Sequence, residues 1–264
     1  AAPALAAEEG ETPLTKIYSS EDFETMYTYT GDDLGAVWTA EKTTFKVWAP
    51  TATEVKLNLY KSGTEGTDDL IESIPMTADV NGTWVATVEG DLNGTYYTYS
   101  VTVGTGTNEA CDPYARTTGV NGNRGMVVDL SLTDPEGWEN AGLKNPIEHY
   151  SEAIIWEVHV RDFSNKIAAS KYKGKYLAFT ETGLKNSAGV SVGIDYLVNL
   201  GVTHVHLLPV YDYATVDEAN PDSAFNWGYD PKNYNVPEGS YSTNPYDGAV
   251  RIKEFKQMVQ ALHD

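Results

Sequence analysis

The residues that could do chemistry gather in a few places. In Phe225-Asn226-Trp227-Gly228-Tyr229-Asp230-Pro231, two aromatic rings stand beside an amide and a carboxylate, with a glycine between them and a proline at the end. That composition makes a poor helix or strand and a good shaped loop. Flat rings next to hydrogen-bonding groups suit a sugar, which has apolar C–H faces and a hydroxyl rim. A turn with two buried aromatics is the alternative. Asp162 and Asp212 follow the C-terminal ends of expected strands, where barrel enzymes keep their chemistry, so they could serve as acid and nucleophile. Asp212, Asp217, Glu218 and Asp222 are acids of one loop region, and calcium takes oxygen ligands. No EF-hand spacing supports calcium, so solvated loop charge is the default and no cofactor is assigned. His159, His204 and His206 fall on strands without an acidic partner at metal-ligand spacing and read as hydrogen-bonded packing residues.

The bulk composition sets the limits. The chain has 264 residues, 41% of them hydrophobic, with 18 Tyr and 6 Trp, which fits a folded protein of one large or two ordinary domains. A net charge of −20, from 38 acidic against 18 basic residues, argues against nucleic acid and anionic lipid as partners. A neutral polysaccharide is compatible with it. No apolar run is long enough for a membrane span. The lone Cys111 excludes an intramolecular disulfide and a cysteine zinc site, and with no activating neighbour it reads as a small, half-buried side chain. The Ala-rich opening, Ala1 to Glu9, looks like the small-residue end of a secretory signal, so a secreted or cell-surface location is expected.

The elements that must position these residues fall into two grammars. Residues 1–25 are small, acidic and aperiodic and read as a flexible N-terminal tail. From 26 to 132, period-two alternation marks Thr44–Trp48, Val55–Tyr60, Trp84–Val88 and Tyr96–Val103 as short strands. Turn formers such as Asn81-Gly82 and Asn93-Gly94 separate them. This predicts an all-β, immunoglobulin-like antiparallel sandwich. Trp38, Trp48 and Trp84 could give it a glycan-stacking platform, or could simply pack. Residues 133–150 carry Asp134-Pro135 and Asn145-Pro146 and read as a linker. In 151–264 the pattern changes to an apolar strand over Ala153–Val160, a helix through Ile194–Leu200 stopped by Gly201, and a second strand over Val202–Val210. A long loop from Tyr211 to about Asp247 leads to an amphipathic helix carrying Ile252, Phe255, Val259 and Leu262, with Asp247 as its cap. Strand, helix, strand, helix predicts the opening of a parallel α/β domain that further strands must complete.

These segments, in this order, resemble a known family. Thr44-Phe45-Lys46-Val47-Trp48-Ala49-Pro50 and Gly90 to Tyr99 resemble a family 48 carbohydrate-binding module. Ile155-Trp156-Glu157-Val158-His159-Val160-Arg161-Asp162-Phe163 and Gly201 to Val210 look like the first two barrel strands of the α-amylase superfamily. Asn226-Trp227-Gly228-Tyr229-Asp230-Pro231, read on to Tyr241, is similar to type I pullulanases; His206 departs from the glutamine more usual there. The resemblance implies a starch-debranching glycoside hydrolase with a (β/α)8 barrel. Such an enzyme hydrolyses α-1,6 linkages of pullulan, starch or glycogen by a retaining two-carboxylate mechanism. It implies that Tyr229 stacks on a sugar ring, with Asp230 a hydrogen-bonding or turn residue and Trp227 and Asn226 shaping the loop. It also implies that the catalytic carboxylates lie on strands beyond Asp264. Asp162 and Asp212 then become loop anchors, no catalytic residue is assigned here, and residues 1–264 alone are expected to be inactive. A non-catalytic α-glucan-binding module, or a truncated inactive homologue, is the alternative.

Overall fold

The structure is a computed structural model and describes residues 18, 20–66, 68–142 and 146–264. The sandwich begins with β1 (Gly35–Trp38), β2 (Lys42–Trp48), β3 (Glu54–Tyr60), β4 (Leu70–Pro75) and β5 (Thr77–Ala78). It continues with β6 (Thr83–Glu89), β7 (Tyr96–Val103), β8 (Gly106–Ala110) and β9 (Gly125–Met126). One antiparallel sheet runs β1-β2-β6-β5; the other runs β4-β3-β7-β8, with β9 paired to the start of β7. Alternation determines which side chains meet between the sheets. Thr43, Phe45 and Val47 of β2 point inward while Lys42 and Trp48 point out. Phe45, Val55, Leu57, Leu59, Met76, Tyr97, Tyr99 and Val127 form the core, each such side chain stabilising the fold by roughly 1.5–3 kcal/mol. At the Asn81-Gly82 turn both residues have positive φ, 54° and 78°. A Cβ on Gly82 would also run into Pro50 and Tyr27.

The N-terminal segment departs from expectation. Glu21–Tyr27, with residues 21–25 in the expected flexible tail and 26–27 at the start of the expected sandwich, forms helix α1. The indole of Trp48 donates to Tyr27 O (2.8 Å) and Asn81 Nδ2 donates to Met26 O (3.2 Å). Phe23 and Trp48 meet edge to face, 6.1 Å between centroids. A one-sided aromatic contact of this kind leaves little periodic signal in seven residues. The rest of the expected tail, residues 1–17 and 19, lies outside the described residues, as does Asn145 of the expected linker.

Beyond the sandwich, β10 (Ile155–Val158) is followed by helix α2 (Val160–Ser164) and helix α3 (Ile194–Leu200), and then by β11 (His204–Leu207). β10 and β11 are parallel, in register from Ile155 opposite His204 to Val158 opposite Leu207. Gly201 ends α3 in the left-handed region, its N–H meeting Leu197 O and Val198 O. Both strands are shorter than the apolar runs suggested; β10 ends where His159 leaves the strand to cap α2 through Asp162 N. The expected long loop holds an antiparallel pair, β12 (Tyr211–Tyr213) with β13 (Pro231–Pro237). The prolines at both ends of β13 hid it, since proline demotes a strand reading. Helix α4 (Gly248–His263) closes the chain, capped by Asp247 through Ala249 N at 2.9 Å. The segment read as a linker lies along α4, where Lys256 meets Thr133 (2.8 Å), Gln260 meets Glu136 O (2.9 Å) and His263 meets Ala141 O (2.7 Å). No helix among the described residues is long and apolar enough to cross a membrane.

Candidate functional site

The 225–231 loop is built by its polar members, which face inward. Asn226 Nδ2 donates to Asp230 Oδ1 and to Thr215 Oγ1, both at 2.8 Å, and Asn226 Oδ1 accepts from Gly228 N at 2.7 Å. Asp230 Oδ2 accepts from Thr215 N (3.1 Å) and Thr215 Oγ1 (2.7 Å). Burial opposes ionisation of Asp230, but the donors Thr215 and Asn226 outweigh it and hold the carboxyl below its ordinary range. Gly228 has φ +89°, and a Cβ there would strike Pro209, so only glycine fits.

The aromatic members are left facing solvent. Trp227 is 62% and Tyr229 66% exposed, which is unusual for rings that otherwise gain so much from burial. Phe225 stacks at a tilt on His159, 5.2 Å between centroids, and Trp227 stands edge-on to Phe225 at 5.7 Å. His159 is itself buried, its Nε2 bridging Asn226 O (2.8 Å) and Tyr241 Oη (3.1 Å). The structure therefore divides the four residues singled out from the sequence. Trp227 and Tyr229 are available to a ligand; Asn226 and Asp230 are engaged in holding them up. The loop is not the buried aromatic turn of the alternative reading.

The other candidates separate in the same way. Asp212 is fully buried and bonded by Asn233 Nδ2 at 2.6 Å, so it cannot reach a substrate. Asp162 is exposed, and its backbone N–H completes the α2 cap with His159. His159 packs as expected, whereas His204 and His206 are exposed on β11, correcting the packing role read for them. Cys111 is half-buried and its thiol is pushed up to about 12, by burial first and by Asp112 second, which disfavours the reactive thiolate. In the sandwich, Trp38 donates to Asp91 Oδ1 (2.9 Å), Trp48 to Tyr27 O, and Trp84 to Ala49 O (3.1 Å). Those indoles brace loops rather than presenting a common platform.

Sequence reasoning missed one cluster. Asp212, Glu218 and Glu238 bring carboxylate oxygens within 4.8 Å of one another, and Arg251 of α4, fully buried, enters among them. Arg251 Nη2 meets Glu218 Oε2 at 2.8 Å and Arg251 Nη1 lies 3.5 Å from Asp212 Oδ1. Of the four loop acids considered for calcium, only Asp212 and Glu218 come together. Asp217 accepts from Asn121 and Asp222 pairs with Arg161. With a guanidinium occupying the centre, the cluster does not suit a cation. The missing signal was the Asn121-Gly122 turn, φ 61° and 66°, an unremarked Asn-Gly pair whose backbone reaches this cluster from the sandwich.

Comparison with known proteins places both regions. Residues 33–115 match the family described as carbohydrate-binding module 48 (isoamylase N-terminal domain). The chain is 43% identical over 242 residues to a pullulanase of Bacillus subtilis, covering 91% of this chain and 32% of that protein. Over this stretch its sequence is similar to that of pullulanases. A chloroplastic pullulanase of Arabidopsis thaliana is 36% identical over 90% of the chain and 28% of its own length. The crystal structure of a Paenibacillus barengoltzii pullulanase, complexed with maltohexaose and alpha-cyclodextrin, superposes with a TM-score of 0.88 at 48% identity. That match covers 93% of this chain and 38% of the other. The chain thus spans about a third of the length of these pullulanases.

Proposed function

We propose that this chain is the N-terminal part of a secreted debranching glycoside hydrolase acting on α-1,6-glucosidic linkages of pullulan, starch or glycogen. In this reading residues 26–132 are the carbohydrate-binding-type module, 133–150 join it to the barrel, and 151–264 open a (β/α)8 catalytic barrel. Trp227 and Tyr229 form one wall of its sugar site, stacking on apolar sugar faces. Asn226 and Asp230 position them. The two carboxylates of a retaining mechanism, one attacking the anomeric carbon and one protonating the leaving oxygen, come from the part of the relatives that this chain does not span.

The observation that carries the reading is the loop after the second parallel strand, which spends its polar groups to hold two rings out in water. Support for further elements comes from the parallel pair and its connecting helix, where Ile154 just before β10, Ile155 on β10 and Val198 on α3 stand 50%, 64% and 71% exposed. Apolar side chains at a two-stranded parallel sheet call for covering elements. Substituting Tyr229→Ala in the full-length protein should lower kcat/KM on pullulan by about 10- to 100-fold, a loss of roughly 1.4–2.7 kcal/mol of transition-state stabilisation. Unchanged kcat/KM would refute the wall assignment. Residues 1–264 alone should release no reducing ends, and a measurable release would place the chemistry in this chain instead.

A further inference from the structure

The cluster around Arg251 has an unbalanced ledger. Three carboxyl groups, Asp212, Glu218 and Glu238, face one guanidinium, all four fully buried or nearly so. Glu218 takes two donors on each oxygen: Oε1 takes Gly239 N (3.0 Å) and Arg251 Nη1 (3.0 Å), while Oε2 takes Asn121 N (2.6 Å) and Arg251 Nη2 (2.8 Å). Glu238 accepts from Tyr213 N (3.0 Å) and Ser240 N (2.8 Å). Asp212 Oδ2 accepts from Asn233 Nδ2. Of the cluster's carboxylate oxygens, only Asp212 Oδ1 has no hydrogen-bond partner although it is sealed from water; Arg251 Nη1 lies 3.5 Å away as an ion-pair neighbour, and Arg251 Nε is unpartnered too. An unsatisfied buried carboxylate oxygen is costly, and one beside another carboxylate more so. The missing donor can be supplied by a proton.

We propose that Asp212 holds a proton on Oδ1, shared with Glu218, and that this proton locks the sandwich onto the α/β region. The lock acts through the 119–122 turn, which the cluster grips from several sides. Glu218 takes the Asn121 N–H and returns its own N–H to Asn121 Oδ1 at 2.8 Å. Arg251 Nη2 donates to Gly119 O (3.1 Å), Asn233 Nδ2 to Gly122 O (2.9 Å) and Lys232 Nζ to Asn121 O (2.7 Å). The packing around the turn is close: a Cβ on Gly122 would strike Asp212 and Asn233, and one on Gly239, across the cluster, would strike Glu218 and Arg251. When Asp212 gives its proton to solvent, two adjacent carboxylates repel at the point that holds the turn.

The charges facing Asp212 agree in sign. Burial and then the Glu218 charge push its carboxyl up to about 8, against the pull of Arg251, with Glu238 adding to the rise. Glu238 is itself pushed up to about 7 by burial and Glu218. Cys111, from the sandwich side, is raised beyond the relevant range, and Lys232 is its cationic neighbour there. A carboxyl with a raised folded pKa binds a proton that the unfolded chain has already lost. The stability it contributes is therefore full below the ordinary carboxylate range and falls as pH rises through about 8.

The test is amide hydrogen exchange of residues 119–124 in the full chain, corrected for intrinsic base catalysis, from about pH 6 to about pH 9.5, a span that brackets the transition. Protection in the wild type should fall by about tenfold or more across that range. In Asp212→Asn, whose side chain carries no charge at any pH, the fall should be markedly smaller. No fall in the wild type, or an equal fall in the variant, overturns the proposal; so does a fall abolished by Glu238→Gln but not by Asp212→Asn. Should Asp212→Asn not fold, infrared difference spectra of Glu238→Gln, which lacks the other carboxyl of the cluster raised into this range, give the answer. A protonated-carboxyl stretch at neutral pH that disappears with rising pH supports the lock, and its absence overturns it.

Discussion

The sandwich and the α/β region are held together by different physics. Between the two sheets, apolar side chains from alternating positions fill a core in which Phe45, Val55 and Leu57 are completely sealed. Its buried charge is restricted to the margins, as with Asp112 under the hydroxyls of Tyr97 and Tyr99. The α/β region has a smaller apolar cluster around Tyr176, Phe179, Tyr241 and Met258, and beside it the Arg251 cluster. The first arrangement is complete within itself. The second depends on its neighbour, because Gly119 and Asn121 of the sandwich supply partners that Arg251 and Glu218 require. A nonpolar core tolerates isolation, whereas a buried charge cluster is only as good as its last hydrogen bond.

Three substitutions sharpen that contrast. The largest effect is expected for Arg251→Ala, which strands buried carboxylates without their cation and should cost about 3–5 kcal/mol in urea unfolding. If it costs less than the core substitution below, the charge cluster is not what holds the α/β region. Next comes Leu57→Ala, at 0% exposure in the sandwich core. It should cost roughly 3 kcal/mol through lost burial and the cavity left behind, without altering the pH dependence of stability. The smallest is Thr215→Val, which removes one donor to Asp230 and one acceptor for Asn226. It should cost about 1 kcal/mol and make the fluorescence of Trp227 more mobile, and an unchanged anisotropy decay would show that the loop is shaped by other contacts.

The sequence carried the sandwich plainly, because alternation in Thr44–Trp48 and Tyr96–Val103 is a local signal that survives without neighbours. The same holds for α4, where Asp247 and the Ile252–Leu262 stripe sit within a single helix. It carried the aromatic loop too, though not the division of labour inside it. Nothing about the letters Asn226 and Asp230 says that Thr215 will absorb both. The β12–β13 pair was hidden by the prolines of β13, and the Arg251 cluster by distance, since its partners are far apart in sequence and come from different elements. By its position Arg251 is one more charge on an amphipathic helix, and its burial depends on acids at 212, 218 and 238 and on a turn at 119–122. Charge clusters have no period.

Amide exchange in Arg251→Ala, compared with the wild type region by region, tests most directly whether the two parts are held by different forces. Protection should collapse in residues 119–124 and 211–241, while the amides of β3 and β7 keep theirs, since Leu57, Tyr97 and Tyr99 owe nothing to Arg251. Loss of protection in β3 and β7 to the same degree, or no loss at 119–124, would contradict it.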